Sequence, residues 1–276
     1  MPKLTAITWN LFHGRDFPPD PALLTWRSRL LRVTERNDTH AQVNRGLIEE
    51  FASVLAGARW DVALLQESPP RFAAPLARAC EAEAHRTLTS RNGFASVRRG
   101  AARLNPDLIA SGEGGSNLTL VRRGGALGEI EETRELTIHE GKPERRAMAF
   151  TRTGSGVCVA NLHASANAPG LAIEDVLFAA REASEWASES PLLFGGDLNL
   201  RPRESPEAFA ALDERFGLRA PTGPAAIDHL LARGMDPVSP PAAWEPERRE
   251  VRDGGLAVRL SDHTPVEAVF ETAASR

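Results

Sequence analysis

Short apolar runs alternate with amphipathic segments along this chain, and that alternation limits the folds open to it. Apolar runs of strand length occupy residues 4–11, 61–66, 117–122, 147–152, 157–163, 192–195, 227–231 and 265–270. Between some of these runs, apolar residues recur at helical spacing, within 43–55, 173–180 and 209–216. The pattern predicts an alternating α/β chain.

The length allows one large domain or two small ones, since 276 residues of which 42% are apolar can bury a sizeable core. Glycine and proline cluster near residues 100–116, 220–224 and 236–246. We interpret these clusters as loops rather than linkers, because strand signals resume soon after each. The sequence shows no internal repeat. We therefore predict a single domain that spans residues 1–276.

Charge and apolar content exclude some functions and locations. The net charge of -4 provides no global cationic field for nucleic acid or an anionic membrane, so any polyanion site must be local. The N-terminal residues lack an apolar stretch of signal-peptide length, and no apolar run approaches the ~20 residues of a membrane span. We expect a soluble cytoplasmic protein with no transmembrane segment and no stable protein partner. Cys80 and Cys158 match no metal or redox spacing and are predicted to be buried structural residues.

Polar side chains stand at the ends of several apolar runs, where a core residue would be expected. They are Asn10, Glu67, His163, Asp197, Asn199, Asp228, Asp262 and His263. Taken singly, each is typical of a turn, a helix cap or a half-buried side chain. Their joint occurrence indicates a site, because ligands bind at strand ends in open α/β sheets.

Six short motifs contain these residues: "TWNL", "LLQE", "NLH", "GGDLN", "IDH" and "SDHTPV", in this order from residue 7 to residue 266. In these motifs the chain resembles the endonuclease/exonuclease/phosphatase family. This family includes DNase I-like nucleases, apurinic endonucleases, inositol-polyphosphate 5-phosphatases and bacterial sphingomyelinases. The resemblance implies a four-layer α/β sandwich, in which two packed mixed β-sheets are flanked by helices. It also implies a phosphoester hydrolase.

Phosphoester hydrolysis explains why carboxylates are present. The substrate is anionic, so attack by water needs a Lewis acid or cationic donors on the oxygens and a base for the nucleophile. Glu67 is the strongest candidate for a metal ligand, since Mg²⁺ prefers oxygen ligands and often takes only one or two carboxylates. We assign Asn10 and Asp262 to the same coordination shell, with Mn²⁺ as a possible substitute for Mg²⁺.

The stretch "GGDLNL", residues 195–200, is interpreted as the catalytic segment. Asp197 would orient and deprotonate the attacking water, and Asn199 would hold a phosphate oxygen or that water. We expect both side chains to point the same way because a strand repeats every second residue. The two glycines are expected to allow close approach of the substrate.

The resemblance assigns the remaining roles. In the family, the counterparts of Asp228 and His263 lie against the scissile phosphate, where the aspartate orients and charges the imidazole. His163 is assigned as an additional phosphate contact or as the leaving-group acid. The chain contains no tyrosine, so the tyrosine that some family nucleases use near the leaving group has no counterpart, and His163 is the candidate for its role.

The segment 25–36, "TWRSRLLRVTER", bears on the substrate. As a helix it would place Trp26, Leu30 and Val33 on one face and arginines 29, 32 and 36 on another, so the arginines could grip phosphates beside the scissile one. The alternative is a surface helix docked by its apolar face. We therefore predict a phosphodiesterase acting on nucleic acid, with a phosphatase or a sphingomyelinase-like phospholipid phosphodiesterase as alternatives. A non-enzymatic binding protein is disfavoured because Glu67 and the other charged site residues are retained.

Overall fold

The computed structural model describes residues 3–89, 100, 104–105, 114–140 and 145–272. The strands are β1 (Lys3–Asn10), β2 (Glu35–Arg36), β3 (Ala41–Gln42), β4 (Val62–Ser68), β5 (Ala82–Leu88), β6 (Ser116–Arg122), β7 (Ile130–His139), β8 (Arg146–Thr153), β9 (Cys158–His163), β10 (Leu192–Asp197), β11 (Asp228–Arg233), β12 (Met235–Ala243), β13 (Glu250–Asp253), β14 (Leu256–Arg259) and β15 (Val266–Thr272). The helices are α1 (Trp26–Leu31), α2 (Ile48–Gly57), α3 (Ala73–Ala79), α4 (Pro169–Ala187) and α5 (Pro206–Phe216).

Eleven of these strands form two mixed β-sheets. The first has the order β12-β15-β1-β4-β6-β5 and the second has the order β11-β10-β9-β8-β7. In each sheet one central pair is parallel, β1 with β4 and β9 with β10, so these pairs end at the same edge of their sheet. The parallel pairs therefore determine where the polar strand ends gather.

The period-two alternation of β1 shows how the layers form. Ile7 and Trp9 belong to the core beneath α2 and α3, whereas Leu4 and Ala6 belong to the core between the two sheets. On the far side, α4 and α5 pack against the second sheet through a third apolar cluster. The result is the four-layer α/β sandwich, DNase I-like in fold, that the sequence predicted.

A buried polar network joins the two sheets below the strand ends. Gln66 Nε2 donates to Asn161 Oδ1 at 2.8 Å and to Thr8 Oγ1 at 3.1 Å. Asn117 Nδ2 donates to Ala147 O at 2.7 Å. Since buried amides must be hydrogen-bonded, this network fixes how β4 of the first sheet lies against β9 of the second. The residues that follow Gln66 and Asn161 are consequently held near each other.

Each apolar run of the sequence falls on a strand, but three strands of the two sheets were not predicted: β5, β7 and β12. The prediction of a loop at 236–246 is wrong for its larger part, because β12 pairs with β15. Prolines are accepted there because β12 is an edge strand, with register shifts between Pro237 and Ser239 and between Ser239 and Ala242. The loop at 220–224 is confirmed, and most of the segment 100–116 lies outside the described residues.

Two smaller expectations concern buried and membrane-spanning segments. Cys80 and Cys158 are free and buried, as predicted, and burial raises the pKa of the Cys80 thiol to about 11. Within the described residues, no helix combines the length and apolar composition needed to cross a bilayer.

Candidate active site

The two parallel pairs of central strands, one in each sheet, bring four polar residues to one rim of the sandwich. Asn10 and Glu67 lie at the ends of β1 and β4, and His163 and Asp197 are the last residues of β9 and β10. Asp197 pairs in register with His163 on one side and with Asp228, the first residue of β11, on the other. The rim therefore collects side chains from both sheets.

Asp197 lies at the centre of this rim and is buried. Its Oδ2 accepts a hydrogen bond from Asn10 Nδ2 at 3.0 Å, and it lies 3.5 Å from His163 Nε2 and 3.8 Å from His263 Nε2. Burial, reinforced by the charge of Asp228, raises the pKa of Asp197 to about 7, although His263 and Asn10 act in the opposite direction. A carboxylate with such a pKa can act as a base near neutral pH.

His263 and Asp228 form a hydrogen-bonded pair beside Asp197, with 2.8 Å between His263 Nδ1 and Asp228 Oδ2. Burial opposes the charge of His263, but the hydrogen bond and the charge of Asp228 outweigh it and raise the pKa of the imidazole to about 10. The backbone on both sides of the ring is held as well, since His263 N donates to Ser261 Oγ at 3.0 Å and Trp9 Nε1 donates to His263 O at 3.0 Å. His263 is thus a fixed cation.

His163 is in the opposite state. Burial, followed by the charge of Arg146, lowers the pKa of His163 well below its usual value, and neighbouring imidazoles act in the same direction. Arg146 Nη1 lies 3.3 Å from His163 Nδ1. A guanidinium can only donate, so Nδ1 accepts and the single ring proton is on Nε2, which faces Asp197. His163 is therefore a neutral hydrogen-bond donor.

Sequence reasoning missed two residues of the rim, His13 and Arg146. His13 lies in a 3-10 turn at Phe12–Gly14, and its Nε2 is 3.2 Å from Glu67 Oε2. Arg146 is the buried first residue of β8. Arg146 could have been identified from the sequence, because it is a charged residue directly before the apolar run 147–152. The position of His13 depends on an irregular turn that no periodicity describes.

The explanation offered for "GGDLNL" is wrong in two respects. Strand β10 ends at Asp197, and Asn199 has a left-handed backbone with φ of 51°, so strand alternation does not orient it. Its Nδ2 donates to Ala164 O at 3.1 Å. The glycines are needed for strand packing, because an added Cβ would lie 1.9 Å from Leu162 O at Gly196 and 2.4 Å from the β11 backbone at Gly195.

Asp262 reaches the same rim from the loop before β15. It is exposed, and with Asp228 and His263 it lines a cavity of about 320 Å³. Ser261 Oγ donates its single proton to Asn10 O at 2.6 Å and lies 3.4 Å from Asp262 Oδ1. This serine ties the Asp262 loop to the end of β1.

The donor atoms of the rim fit a divalent cation. Ligand atoms of Asp197, Asp228 and His263 lie within 4.8 Å of one another. A His263 ring protonated on both nitrogens offers no lone pair, however, so this trio is better suited to proton transfer and charge stabilisation than to holding a metal. The oxygens of Glu67 and Asn10 are the hard ligands that Mg²⁺ and Mn²⁺ take.

The segment 25–36 does not form the predicted helix. Helix α1 ends at Leu31, Arg32 has a left-handed backbone with φ of 57°, and Arg36 lies in β2. Arginines 29, 32 and 36 therefore do not form one helical stripe. The alternative of a docked apolar face is wrong too, because Trp26 and Leu30 are 67% and 54% exposed.

The sandwich and its polar rim define a protein of the DNase I-like class. Residues 7–263 match the sequence profile of the Endonuclease/Exonuclease/phosphatase family. The chain therefore belongs to this family, which is generally divalent-metal dependent and includes nucleases and phosphatases. No curated protein matches the chain in a sequence search.

Solved structures of the same fold are only distantly related in sequence. A family protein from Bacteroides thetaiotaomicron is 13% identical with a TM-score of 0.65, covering 99% of this chain and 96% of that chain. A mannosyl-6-phosphatase from Bacteroides thetaiotaomicron is 14% identical with a TM-score of 0.62, covering 97% and 99%. Truncated TDP2 from Caenorhabditis elegans is 16% identical with a TM-score of 0.56, covering 97% of each chain. At these identities the likeness shows the fold alone.

Proposed function

We propose that this protein is a divalent-metal-dependent phosphoester hydrolase in which water attacks phosphorus at the rim around Asp197. The observation that supports this most is the placement of one buried carboxylate, Asp197, between the cation His263 and the neutral donor His163, at 3.8 Å and 3.5 Å. A base for the attacking water and hydrogen-bond donors for the phosphoryl oxygens are what transfer of a phosphoryl group to water requires.

Each rim residue has one task in this proposal. Asp197 orients the water and takes its proton as the new P–O bond forms; the P–O bond to the leaving group breaks, and its oxygen leaves with the electron pair and is protonated by solvent. His263, charged through Asp228, donates from Nε2 to a phosphoryl oxygen, and His163 donates from Nε2 to a second one. The lowered pKa of His163 keeps its imidazole neutral, with a single ring proton. We therefore assign it as a neutral hydrogen-bond donor rather than as the leaving-group acid.

The metal would be held on the Glu67 side of the rim, by Glu67 with Asn10 and Asp262. A divalent cation bound there would supply Lewis-acid stabilisation of the negative charge that develops during phosphoester cleavage. Asn10 is already oriented for this task, because its Nδ2 donates to Asp197 and its Oδ1 accepts from Phe12 N at 2.9 Å.

Removal of the metal is expected to abolish turnover of a chromogenic phosphodiester such as bis(p-nitrophenyl) phosphate, and Mg²⁺ or Mn²⁺ should restore it. Glu67→Gln should raise the metal concentration needed for half-maximal rate at least about tenfold, because one anionic ligand is lost. Glu174→Gln changes an exposed carboxylate on α4 and should leave that concentration unchanged. Full activity after thorough chelation would contradict the proposal.

An exposed apolar patch supports a proposal about the substrate class. Among the described residues, seven large apolar side chains are exposed, and five of them lie within residues 17–31. They are Phe17, Leu24, Trp26, Leu30 and Leu31, which we call the apolar patch. Arg27, Arg29 and Arg32 are exposed among them. A mixture of exposed tryptophan, leucine and arginine is typical of a segment that lies in a phospholipid surface.

A groove borders the apolar patch and extends to Phe12, which precedes the rim residue His13. It has a volume of about 370 Å³ and is lined by Phe12, Arg15, Phe17, Leu24 and Arg29, among others. Phe12 follows Asn10 by two residues and packs against Phe17 with 5.9 Å between ring centroids. A substrate anchored at the patch would therefore enter the site past Arg15, whose guanidinium lies 3.8 Å from the Phe12 ring centroid.

We accordingly propose a phospholipid phosphodiester as the second and more specific candidate substrate. The exposed arginines, taken alone, favour nucleic acid, whose phosphates could contact them. A nucleic-acid substrate would leave the exposed leucines without a role. A bilayer with anionic headgroups uses both, since the arginines meet the headgroups and the apolar side chains enter the acyl boundary.

Replacing Leu30 and Leu31 together by serine is expected to weaken binding to vesicles of phosphatidylcholine with phosphatidylglycerol about 10- to 100-fold, because apolar area no longer leaves water. Vesicle co-sedimentation measures the affinity, and the Trp26 fluorescence should shift to the blue on binding. Val238→Ser is the matched control, since Val238 is 47% exposed and lies outside the apolar patch. Tight binding of DNA or RNA with no affinity for vesicles would instead support a nucleic-acid substrate.

A further inference from the structure

His13 contacts Glu67 at the side of the rim where the metal would lie. Its Nε2 is 3.2 Å from Glu67 Oε2, and both side chains are largely buried, at 17% and 23% exposed. His163 Nε2 lies 4.0 Å from the other oxygen, Glu67 Oε1. The Glu67 carboxylate therefore has an imidazole near each of its oxygens, and the roles assigned above account only for His163.

The separation of His13 and Glu67 is that of two neighbouring ligands of one cation. Ligands at ~2.1 Å from an octahedral ion lie about 3.0 Å apart when they are adjacent in the shell. The 3.2 Å between His13 Nε2 and Glu67 Oε2 is close to this value. An ion could be bound by both atoms with only small movements of the side chains.

The backbone brings His13 to this position through an unusual turn. Phe12, His13 and Gly14 have φ of 48°, 54° and 76°, and Glu67 has φ of 47° at a register shift of β4. Left-handed backbone is unfavourable for phenylalanine, histidine and glutamate, and such conformations cluster at functional sites. Gly14 is required because an added Cβ would lie 2.5 Å from the Phe72 ring.

The same turn connects His13 to Asn10. Phe12 N donates to Asn10 Oδ1 at 2.9 Å, and Gly14 N donates to Leu11 O at 2.8 Å. The residues that orient the Asn10 amide toward Asp197 therefore also direct the His13 ring toward Glu67. One rigid turn places both an amide and an imidazole at the metal side of the rim.

We propose that His13 is a nitrogen ligand, with Glu67, of the divalent cation, and that it makes this site select Mn²⁺ over Mg²⁺. Mg²⁺ takes oxygen ligands almost exclusively, whereas imidazole binds first-row transition ions more strongly. The proposal rests on the proposed function only in requiring that a divalent cation binds at the rim. It changes the expected cofactor from Mg²⁺ to Mn²⁺.

A second His–Glu pair offers a matched comparison. His40 Nε2 lies 3.2 Å from Glu250 Oε1, the same distance as in the His13–Glu67 pair. Glu250 is also bound by Arg259 at 2.8 Å, and its partner His40 is hydrogen-bonded to Thr39 rather than to a residue assigned to the rim. His40→Asn therefore removes an imidazole–carboxylate contact of equal length without touching the site.

The affinities for Mn²⁺ and for Mg²⁺ are measured by calorimetric titration of the metal-free full-length protein. Pulsed electron paramagnetic resonance of bound Mn²⁺ then shows whether a nitrogen atom is coordinated to the ion. His13→Asn is the variant of choice, because asparagine tolerates left-handed backbone better than most residues. The wild type should bind Mn²⁺ at least about tenfold more tightly than Mg²⁺. His13→Asn should lose at least about tenfold in Mn²⁺ affinity and much less in Mg²⁺ affinity.

The resonance spectrum should show a directly coordinated nitrogen that disappears in His13→Asn and persists in His40→Asn. If His13→Asn weakens both ions equally and the nitrogen coupling is unchanged, His13 only positions Glu67 and the proposal is overturned. Equal wild-type affinity for the two ions overturns it as well. If the wild type binds neither ion, both this proposal and the proposed function fail, whereas the preceding outcomes leave the proposed function intact.

Discussion

Gly196→Ala is expected to prevent stable folding, although it adds a single methyl group. The new Cβ would lie 1.9 Å from Leu162 O and 2.9 Å from Leu162 C, and Gly196 has φ of 132°, which side chains rarely adopt. Leu162 belongs to the neighbouring strand β9, so the carbonyl cannot move without breaking the parallel pairing with β10. We expect a loss of more than ~4 kcal/mol, seen as a loss of the urea unfolding transition or of soluble protein.

Gly170→Ala is the control for this substitution. Gly170 lies in the first turn of α4, and in the described part of the chain no atom lies within 4 Å of the Cβ that it would gain. Alanine there should leave stability unchanged or raise it by up to about 1 kcal/mol, because glycine is the poorer helix former. A Gly196→Ala protein as stable as Gly170→Ala would show that the strands near Asp197 are not packed as described.

Asp197→Asn is expected to lower turnover by ~10²- to 10⁴-fold while the protein stays folded. The amide keeps the shape of the carboxylate but cannot take a proton from water, and it removes the charge opposite His263. Because burial raises the pKa of Asp197 to about 7, the ionised form destabilises the folded state at neutral pH and above. The variant should therefore unfold at the same urea concentration as the wild type or at a higher one.

The kinetic comparison uses bis(p-nitrophenyl) phosphate at saturating metal. Asp38→Asn, at an exposed carboxylate in the turn before β3, should retain the wild-type rate. His263→Ala should fall as far as Asp197→Asn, and the double variant Asp228→Ala with His263→Ala should be little worse than His263→Ala alone, because the pair acts as one unit. A near-wild-type rate for Asp197→Asn would remove this residue from the mechanism.

The central strands could be predicted from the sequence because they are covered on both faces. β1, β4, β9 and β10 read as predominantly apolar runs, and the polar residue near the end of each run was identified for that reason. The edge strands could not be predicted in the same way. β7 has only three apolar side chains among its ten residues and none of its residues is fully buried, and β12 contains three prolines, which an edge strand accepts.

Within the site, the sequence predicted which residues meet at the rim but not how several of them are held there. The position of the His13 side chain depends on consecutive residues with left-handed backbone, and that of Asn199 depends on its own left-handed backbone. Such conformations leave no periodic pattern in the sequence. The glycines beside Asp197 were explained by the substrate, whereas strand packing requires them. The predicted stripe of arginines in segment 25–36 required a helix longer than α1. Helix α1 ends because Arg32 has a left-handed backbone, and the β-branched Val33 and Thr34 follow it.

The central claim is that the rim around Asp197 binds a divalent cation and a phosphate group together. Crystals of the protein grown with Mn²⁺ and inorganic phosphate would test it by anomalous diffraction at the manganese edge. We expect one strong anomalous peak against the Glu67 carboxylate, with a phosphate oxygen in contact with His263 Nε2. A peak remote from Glu67, or phosphate bound elsewhere while the rim stays empty, would contradict the account.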